Sequence, residues 1–163
     1  MKPGSVLLSC LLAFVSAGAL LWAVEANDQT PAYLVWPPGM KQKNIPAPNV
    51  LTGIEGESRF ETNALGIRGP DWRDSRTEEY RILFLGGSAT ECFYLDQDEA
   101  WPALVAGRLG ATADGRKVWV GNIGRSGHNS RDHVLEMRYL VPDLPVDAVV
   151  VMMGVNDLGI RLA

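Results

Sequence analysis

A serine follows two glycines at the end of an apolar run, an arrangement that suits nucleophilic chemistry. The stretch "RILFLGGSATE" spans residues 81–91 and places Ser88 at the turn. A serine on a tight strand-to-helix turn presents its hydroxyl at the edge of a sheet, with its own N–H at the start of the helix. Such a hydroxyl can attack an acyl group, and this attack generates an oxyanion. Ser88 is therefore the candidate nucleophile.

Two further turns carry uncharged hydrogen-bond donors. Gly124 and Gly127 lie in "GNIGRSGHNS" after a second apolar run, and Asn156 lies in "GVND" after a third. A glycine N–H and an asparagine amide can complete an oxyanion hole at a site where no cation is needed. We therefore predict catalytic roles for Ser88, for Asn156 and for one of these glycines, and we expect neither a cofactor nor a metal.

The elements between these turns alternate between strand and helix. The pattern predicts strands at 81–86, 117–124 and 147–154, and helices at 99–109 and 130–140. A β-α-β-α-β order implies right-handed crossovers and a parallel sheet. Ligands of such sheets bind beyond the carboxyl ends of the strands, so the three turns should meet in one crevice. Ser130 is expected to cap the second helix.

At these residues the chain resembles the SGNH hydrolases, also called the GDSL esterase/lipase family, from about Phe60 onwards. Ser88 matches the serine of the first block, Gly127 the glycine of the second and Asn156 the asparagine of the third. The resemblance implies an α/β class with a flavodoxin-like three-layer α/β/α fold. It also implies hydrolysis of ester bonds in small esters, lipids or acylated carbohydrates.

The chain departs from the family pattern in two ways. The aspartate usual before the serine is Gly87 here, and the fourth block, an Asp-x-x-His, is absent from the sequence. We therefore expect an N-terminal part of the hydrolase, with a sheet that is incomplete at the C-terminus, and we expect this part to be inactive on its own. The sequence offers His128 and His133 as bases. We expect His128 to lie on the oxyanion side and His133 to be a solvated or capping-turn residue.

Two alternative functions remain open at this stage. One is a non-catalytic envelope protein that binds an acylated glycan, and the other is an O-acyltransferase on the same scaffold. Among the neighbouring residues, Glu91 and Asp157 are expected to support the site or cap helices. Trp101 and Trp119 are expected in the core.

The N-terminus carries the clearest sign of domain organisation. An uncharged run, Val6 to Val24, is long enough to cross a bilayer as a helix. Residues 1–26 are therefore predicted to be a cleaved signal peptide or a membrane anchor, which makes the protein exported, and either periplasmic or membrane-anchored. Residues 27–70 form a proline-rich lead-in segment, and residues 71–163 form the hydrolase part.

Composition limits the class of protein further. The 163 residues are 47% hydrophobic with a formal net charge of −4, as in an ordinary globular chain with one domain. No long run of Lys and Arg is present, so we expect no nucleic-acid partner. Cys10 lies in the apolar run, which leaves Cys92 as the single thiol of the exported part and excludes an intrachain disulfide there.

Overall fold

The computed structural model describes residues 33–49, 52–54, 56–71 and 77–162, together with Ser16. Apart from Ser16, the apolar run Val6–Val24 lies outside the described residues, and so does the choice between signal peptide and anchor. Within these described ranges, no helix has the length and apolar character needed to span a membrane.

The described elements form two sheets with helices. The strands are β1 Lys41–Asn44, β2 Ser58–Glu61, β3 Glu79–Gly86, β4 Lys117–Asn122 and β5 Ala148–Met152. The helices are α1 Ser88–Glu91, α2 Trp101–Leu109, α3 Ser130–Tyr139 and α4 Val155–Leu162, with a short 3-10 helix at Val141–Asp143. The predicted strands and helices of the β-α-β-α-β region are present, with ends that differ by a few residues.

The larger sheet is parallel, and β3 lies at its centre. β4 and β5 pair with β3 on opposite sides, which gives the order β4-β3-β5. In register, Phe84 lies opposite Asn122, and Gly86 lies opposite Met152. The carboxyl ends of the three strands therefore meet at one edge of the sheet. The predicted α/β class with a parallel sheet is confirmed for these three strands.

The alternation of side chains along β3 builds two cores. Leu83 and Leu85 face one side, and Ile82 and Phe84 face the other. The first side packs against the lead-in segment and the end of α3, through Val35, Ile67, Leu140 and Leu144. The second packs against α2, through Trp101, Val105 and Ala106. Burial on both faces explains why β3 is apolar from Ile82 to Leu85.

The lead-in segment contains structure that its sequence does not signal. β1 and β2 pair antiparallel, with Lys41 opposite Glu61. Arg68 then forms an antiparallel bridge with Asn122 at the end of β4. These two strands were not predicted, because strands of four mostly polar residues give no apolar period to detect.

Arg68 ties the lead-in segment to the chain that follows α1. Its side chain is 1% exposed, and its guanidinium lies 4.7 Å above the ring of Phe60. It donates hydrogen bonds to the backbone oxygens of Glu91, Cys92 and Leu95 and to the side chain of Gln97. Burial lowers the pKa of Arg68 below its usual value. These hydrogen bonds offset the free-energy cost of burying the charge of Arg68.

Replacing Arg68 with methionine is expected to lower the free energy of unfolding by about 3 kcal/mol or more. Several backbone oxygens would lose their donor, and each buried unpaired group costs about 1–3 kcal/mol. Urea unfolding followed by tryptophan fluorescence measures the change. Arg59, an exposed arginine of β2, provides the control, since Arg59→Met should shift stability by less than about 0.5 kcal/mol. Equal effects of the two substitutions would contradict the role of Arg68.

Candidate active site

The two glycines before Ser88 are required by close packing at the end of β3. A Cβ atom at Gly86 would lie 2.1 Å from Oγ1 of Thr90 and 2.9 Å from the backbone oxygen of Met152. A Cβ atom at Gly87 would lie 2.9 Å from Nδ2 of Asn156. No side chain fits at Gly86 unless neighbouring atoms move. The space beside Gly87 holds the amide of Asn156. The chain therefore passes directly from β3 into α1, whose first residue is the exposed Ser88.

A cavity of about 260 Å³ lies at the carboxyl ends of β3 and β5. Its walls include Ser88, His128 and Asn156, together with Gly87 and residues 152–155. Two of the three predicted site residues, Ser88 and Asn156, thus share one cavity. Their catalytic roles stay predictions, because proximity alone does not establish a reaction.

Gly127 lies next to this cavity in the chain but is not one of the residues that line it. Its φ of 84° is in the left-handed region, which favours glycine. The preceding residue, Ser126, donates both its backbone N–H and its hydroxyl to the carboxylate of Glu91. Gly127 therefore shapes an exposed turn, and its role as an oxyanion donor stays a prediction.

Asn156, near the start of α4, reaches across the cavity with its side-chain amide. Nδ2 donates a hydrogen bond of 2.6 Å to the backbone oxygen of His128. An amide nitrogen carries two hydrogens, so this bond uses one of them. The second hydrogen can donate to a bound ligand. The same nitrogen lies near Gly87, on the side of the cavity where Ser88 begins α1.

The loop after β4 is held in place by side chains that the sequence did not single out. Asn122 is 3% exposed; its amide donates to the backbone oxygen of Thr90 at 2.6 Å, and its oxygen accepts from Gly124 N at 2.8 Å. Trp36 of the lead-in segment donates to the backbone oxygen of Gly124 at 3.0 Å. Asn122 could have been identified from the sequence as a polar residue at the end of a buried strand.

Asp157 joins α4 to the start of α3. Its carboxylate accepts hydrogen bonds from the hydroxyl and the backbone N–H of Ser130, and these bonds lower the pKa of Asp157. Asp157 thus supports the start of α3 through Ser130, in line with the expected supporting role. The prediction that Ser130 caps α3 is wrong, because Asn129 is the cap and forms a reciprocal pair of bonds with the first turn. The hydroxyl of Ser130 is instead engaged by Asp157.

The two histidines meet on one buried carboxylate. Nδ1 of His128 lies 2.7 Å from Oε1 of Glu136, and Nδ1 of His133 lies 2.9 Å from Oε2. Glu136 is fully buried and His133 is 2% exposed. The expectation of a solvated or capping His133 is therefore wrong, since α3 directs it towards Glu136 one turn further on.

The same three residues are a donor set that could hold a transition metal. One ligand atom from each of His128, His133 and Glu136 lies within 4.8 Å of the others. Two imidazoles and a carboxylate are ligands that zinc accepts. Each Nδ1, however, contacts a different oxygen of Glu136. Both oxygens of Glu136 are thus in contact with imidazole nitrogens.

The remaining candidates near α1 have structural positions. Burial raises the pKa of the Cys92 thiol, and Sγ donates to the backbone oxygen of Ala89 at 3.3 Å, so Cys92 is a poor nucleophile. Trp119 is 4% exposed in the core. Trp101 packs edge-on against Phe84, with ring centres 5.0 Å apart. Trp119 thus lies in the core, as expected, whereas Trp101 is half-buried and packs against it.

Comparison with known proteins supports the class that this site indicates. Residues 84–162 match the model of the GDSL-like lipase/acylhydrolase family. The chain therefore carries a domain of this family over those residues, and the resemblance predicted from its three blocks is confirmed. The match begins within β3 and ends within α4, so it contains Ser88, Gly127 and Asn156.

A solved structure of a mutant of the esterase AlinE4 is similar to part of this chain. The two are 25% identical, with a TM-score of 0.46, and the similarity covers 55% of this chain and 47% of the esterase. The chain thus spans about half the length of that structure. No curated protein matches the chain.

Proposed function

We propose that this domain hydrolyses ester bonds, with Ser88 as the nucleophile and with Asn156 and Gly127 as oxyanion donors. The observation that carries the proposal is the cavity whose walls include both Ser88 and Asn156. The match of residues 84–162 to a lipase/acylhydrolase family supports this reaction class. The raised pKa of the Cys92 thiol favours Ser88 over Cys92 as the nucleophile.

In the proposed reaction, Oγ of Ser88 attacks the carbonyl carbon of the ester. The carbonyl oxygen becomes an oxyanion, to which the second amide hydrogen of Asn156 would donate. The bond from carbon to the alcohol oxygen then breaks, and the alcohol leaves with the proton taken from Ser88. Water releases the acyl group from Ser88 in a second attack. The products are one acid and one alcohol.

The substrate class follows from the walls of the cavity. Met152, Met153 and Val155 give it apolar residues beside the polar groups of Ser88 and Asn156. We propose that the acyl group of a small ester, a lipid or an acylated carbohydrate lies against these apolar residues. The reacting carbonyl would then face Ser88.

The experiment that tests the reaction class uses the full-length protein and short-chain p-nitrophenyl esters. The wild-type protein should release p-nitrophenol, and Ser88→Ala should not. Release by both proteins at equal rates would contradict the proposal, as would the failure of a fluorophosphonate probe to label the wild type.

We also propose that residues 1–26 carry the domain out of the cytoplasm, as an anchor or a cleaved signal. The uncharged run Val6–Val24 supports this placement. A reporter that is active only outside the cytoplasm, fused after Ala163, should be active, and deletion of residues 1–26 should abolish its activity. Strong activity of a reporter confined to the cytoplasm, fused at the same position, would contradict the placement.

A further inference from the structure

We propose that Glu91 is a positioning residue, which holds the N–H of Gly127 where it can donate to the oxyanion formed at Ser88. This inference rests on the proposed function of Ser88 and Gly127. Glu91 is the last residue of α1, and Ser88 is the first. Glu91 is 3% exposed. Because one helical turn joins the two residues, the carboxylate of Glu91 has a defined position relative to the nucleophile.

Gly127 lies in a tight turn whose central peptide can adopt two orientations. The N–H of His128 donates to the backbone oxygen of Arg125 at 3.1 Å, which closes a turn with Ser126 and Gly127 at its centre. The φ of 84° at Gly127 is the value that a type II turn requires at this position. In a type I turn the peptide between Ser126 and Gly127 is flipped, so the Gly127 N–H would point the opposite way. Glycine adopts both, so neighbouring contacts must select one.

The N–H of Gly127 is available to a ligand. Within the ranges that the structure describes, this N–H donates no hydrogen bond to the protein. Gly127 is exposed, and the next residue, His128, lines the cavity of Ser88. A donor stabilises an oxyanion strongly only if its direction is fixed before the reaction. The contacts that hold the turn therefore decide whether Gly127 can serve.

The carboxylate of Glu91 holds the residue from which the central peptide starts. Oε2 of Glu91 accepts the backbone N–H of Ser126 at 2.8 Å, and it also accepts the hydroxyl of Ser126. Hydrogen bonds to an ionised carboxylate are roughly twice as strong as bonds between neutral groups. Two such bonds restrain both the backbone and the side chain of Ser126. Glu91 thus anchors the turn to the helix of Ser88.

The chain before the turn is packed directly on the same helix. A Cβ atom at Gly124 would lie 2.4 Å from the backbone nitrogen of Glu91, so the two backbones are in contact. The N–H of Arg125 donates to the backbone oxygen of Gly86 at 2.9 Å, at the end of β3. The backbone is therefore held by β3 and α1 as far as Arg125. Glu91 extends this support by one residue, to Ser126.

The chain after the turn has its own anchor. The amide of Asn156 donates to the backbone oxygen of His128 at 2.6 Å. The central peptide of the turn therefore lies between a bond to Asn156 on one side and the bonds to Glu91 on the other. Loss of the Glu91 carboxylate would leave the Gly127 N–H supported from one side only.

The burial of a charged group at Glu91 points to the same role. A buried carboxylate costs free energy unless hydrogen bonds or a cation compensate it. None of the ion pairs among the described residues includes Glu91. Both hydrogen-bond donors to its carboxylate in the described structure come from Ser126. The charge of Glu91 is therefore directed at the turn of Gly127.

The first test compares kcat and KM in variants of the full-length protein with a short-chain p-nitrophenyl ester. Glu91→Ala should lower kcat by about 10²-fold, because a misplaced donor weakens the transition state, and it should change KM by less than about threefold. Glu91→Gln keeps an oxygen that can accept from Ser126, so its loss in kcat should be about tenfold smaller. A loss in Glu91→Gln as large as in Glu91→Ala would overturn the inference.

A matched carboxylate provides the control for these variants. Glu99 is exposed, and its carboxylate accepts the backbone N–H of Asp96 at 3.0 Å, away from the cavity of Ser88. Glu99→Ala should keep the wild-type kcat. Equal losses in Glu99→Ala and Glu91→Ala would show a general effect of removing such a carboxylate and would overturn the inference.

Inhibition by an alkyl boronic acid separates positioning from a structural role. The boron atom forms a tetrahedral adduct with Oγ of a serine nucleophile, and one of its oxygens occupies the place of the oxyanion. The inhibition constant of Glu91→Ala should therefore rise by about the factor by which kcat/KM falls. A smaller number of folded molecules would lower kcat and leave the inhibition constant of the remaining molecules unchanged. That second result would overturn the inference.

A double variant tests whether Glu91 acts through Ser126. Ser126→Ala removes the hydroxyl bond and keeps the N–H bond, so its loss in kcat should be smaller than that of Glu91→Ala. Glu91→Ala/Ser126→Ala should be no slower than Glu91→Ala, because both changes remove the same contact. Fully additive losses would overturn the inference. If Glu91→Ala does not fold, a wild-type inhibition constant in Ser126→Ala would have the same consequence.

The inference and the function on which it rests fail in different ways. If a fluorophosphonate labels Ser88 in the wild type and Glu91→Ala keeps the wild-type kcat and inhibition constant, the inference is wrong and the proposed function stands. If Ser88 is not labelled in the wild type, the proposed function itself is wrong. A parallel loss of kcat and boronic acid affinity in Glu91→Ala, smaller in Glu91→Gln, supports the inference.

Discussion

Replacement of Ser88 with alanine is expected to lower the turnover of ester substrates on the order of 10⁴–10⁶-fold. The substitution removes the oxygen that forms the acyl intermediate, while the cavity and its donors remain. Initial rates with short-chain p-nitrophenyl esters measure the loss. Alanine fits at this exposed first position of α1, so the thermal midpoint should change little.

A matched serine elsewhere controls for general effects of the substitution. Ser58 lies on β2, and its buried hydroxyl has no partner among the described residues. Ser58→Ala should therefore keep wild-type turnover. Turnover near the wild-type value in Ser88→Ala would show that another residue is the nucleophile and would contradict the role of Ser88.

Asn156→Ala is expected to lower kcat by about 10²–10³-fold, with a smaller change in KM. The oxyanion exists only after attack, so losing its donor weakens the transition state more than the bound ester. The change also removes the 2.6 Å bond to the backbone oxygen of His128. Steady-state kinetics over a range of ester concentrations separates kcat from KM.

The control for Asn156 is an exposed amide of β1. Gln42 donates to Asn44 on the same strand, and Gln42→Ala should leave kcat unchanged. If Asn156→Ala had near-normal kcat together with a lowered thermal midpoint, Asn156 would serve only to connect α4 to the loop at His128. That result would remove it from the oxyanion site.

The parallel sheet was predictable because its signals are local. β3 contains the apolar run Ile82 to Leu85 and ends in glycine, and the alternation of strand with helix indicates parallel pairing. The lead-in segment gave no such signal. β1 and β2 are short and polar, and their pairing joins residues far apart in the chain. The burial of Arg68 could not be predicted from the sequence either, because it depends on backbone oxygens that only the fold places beside its side chain.

The candidate site was predictable to the extent that it follows from the strand ends. Ser88 and Asn156 follow β3 and β5, and they share a cavity for that reason. The turn of Gly127 depends on loop geometry, and Gly127 is not among the residues lining the cavity. Helical spacing could place His133 and Glu136 on one face of α3. The contact between Glu136 and His128 depends on the preceding loop, which no sequence period describes.

The central claim is that Ser88 is the nucleophile, and covalent labelling tests it most directly. The full-length protein is treated with a fluorophosphonate, digested, and mapped by mass spectrometry. The account predicts one adduct, on the peptide that contains Ser88, and no adduct in Ser88→Ala. An unmodified Ser88 in the treated wild type, or an adduct on a different residue, would contradict it.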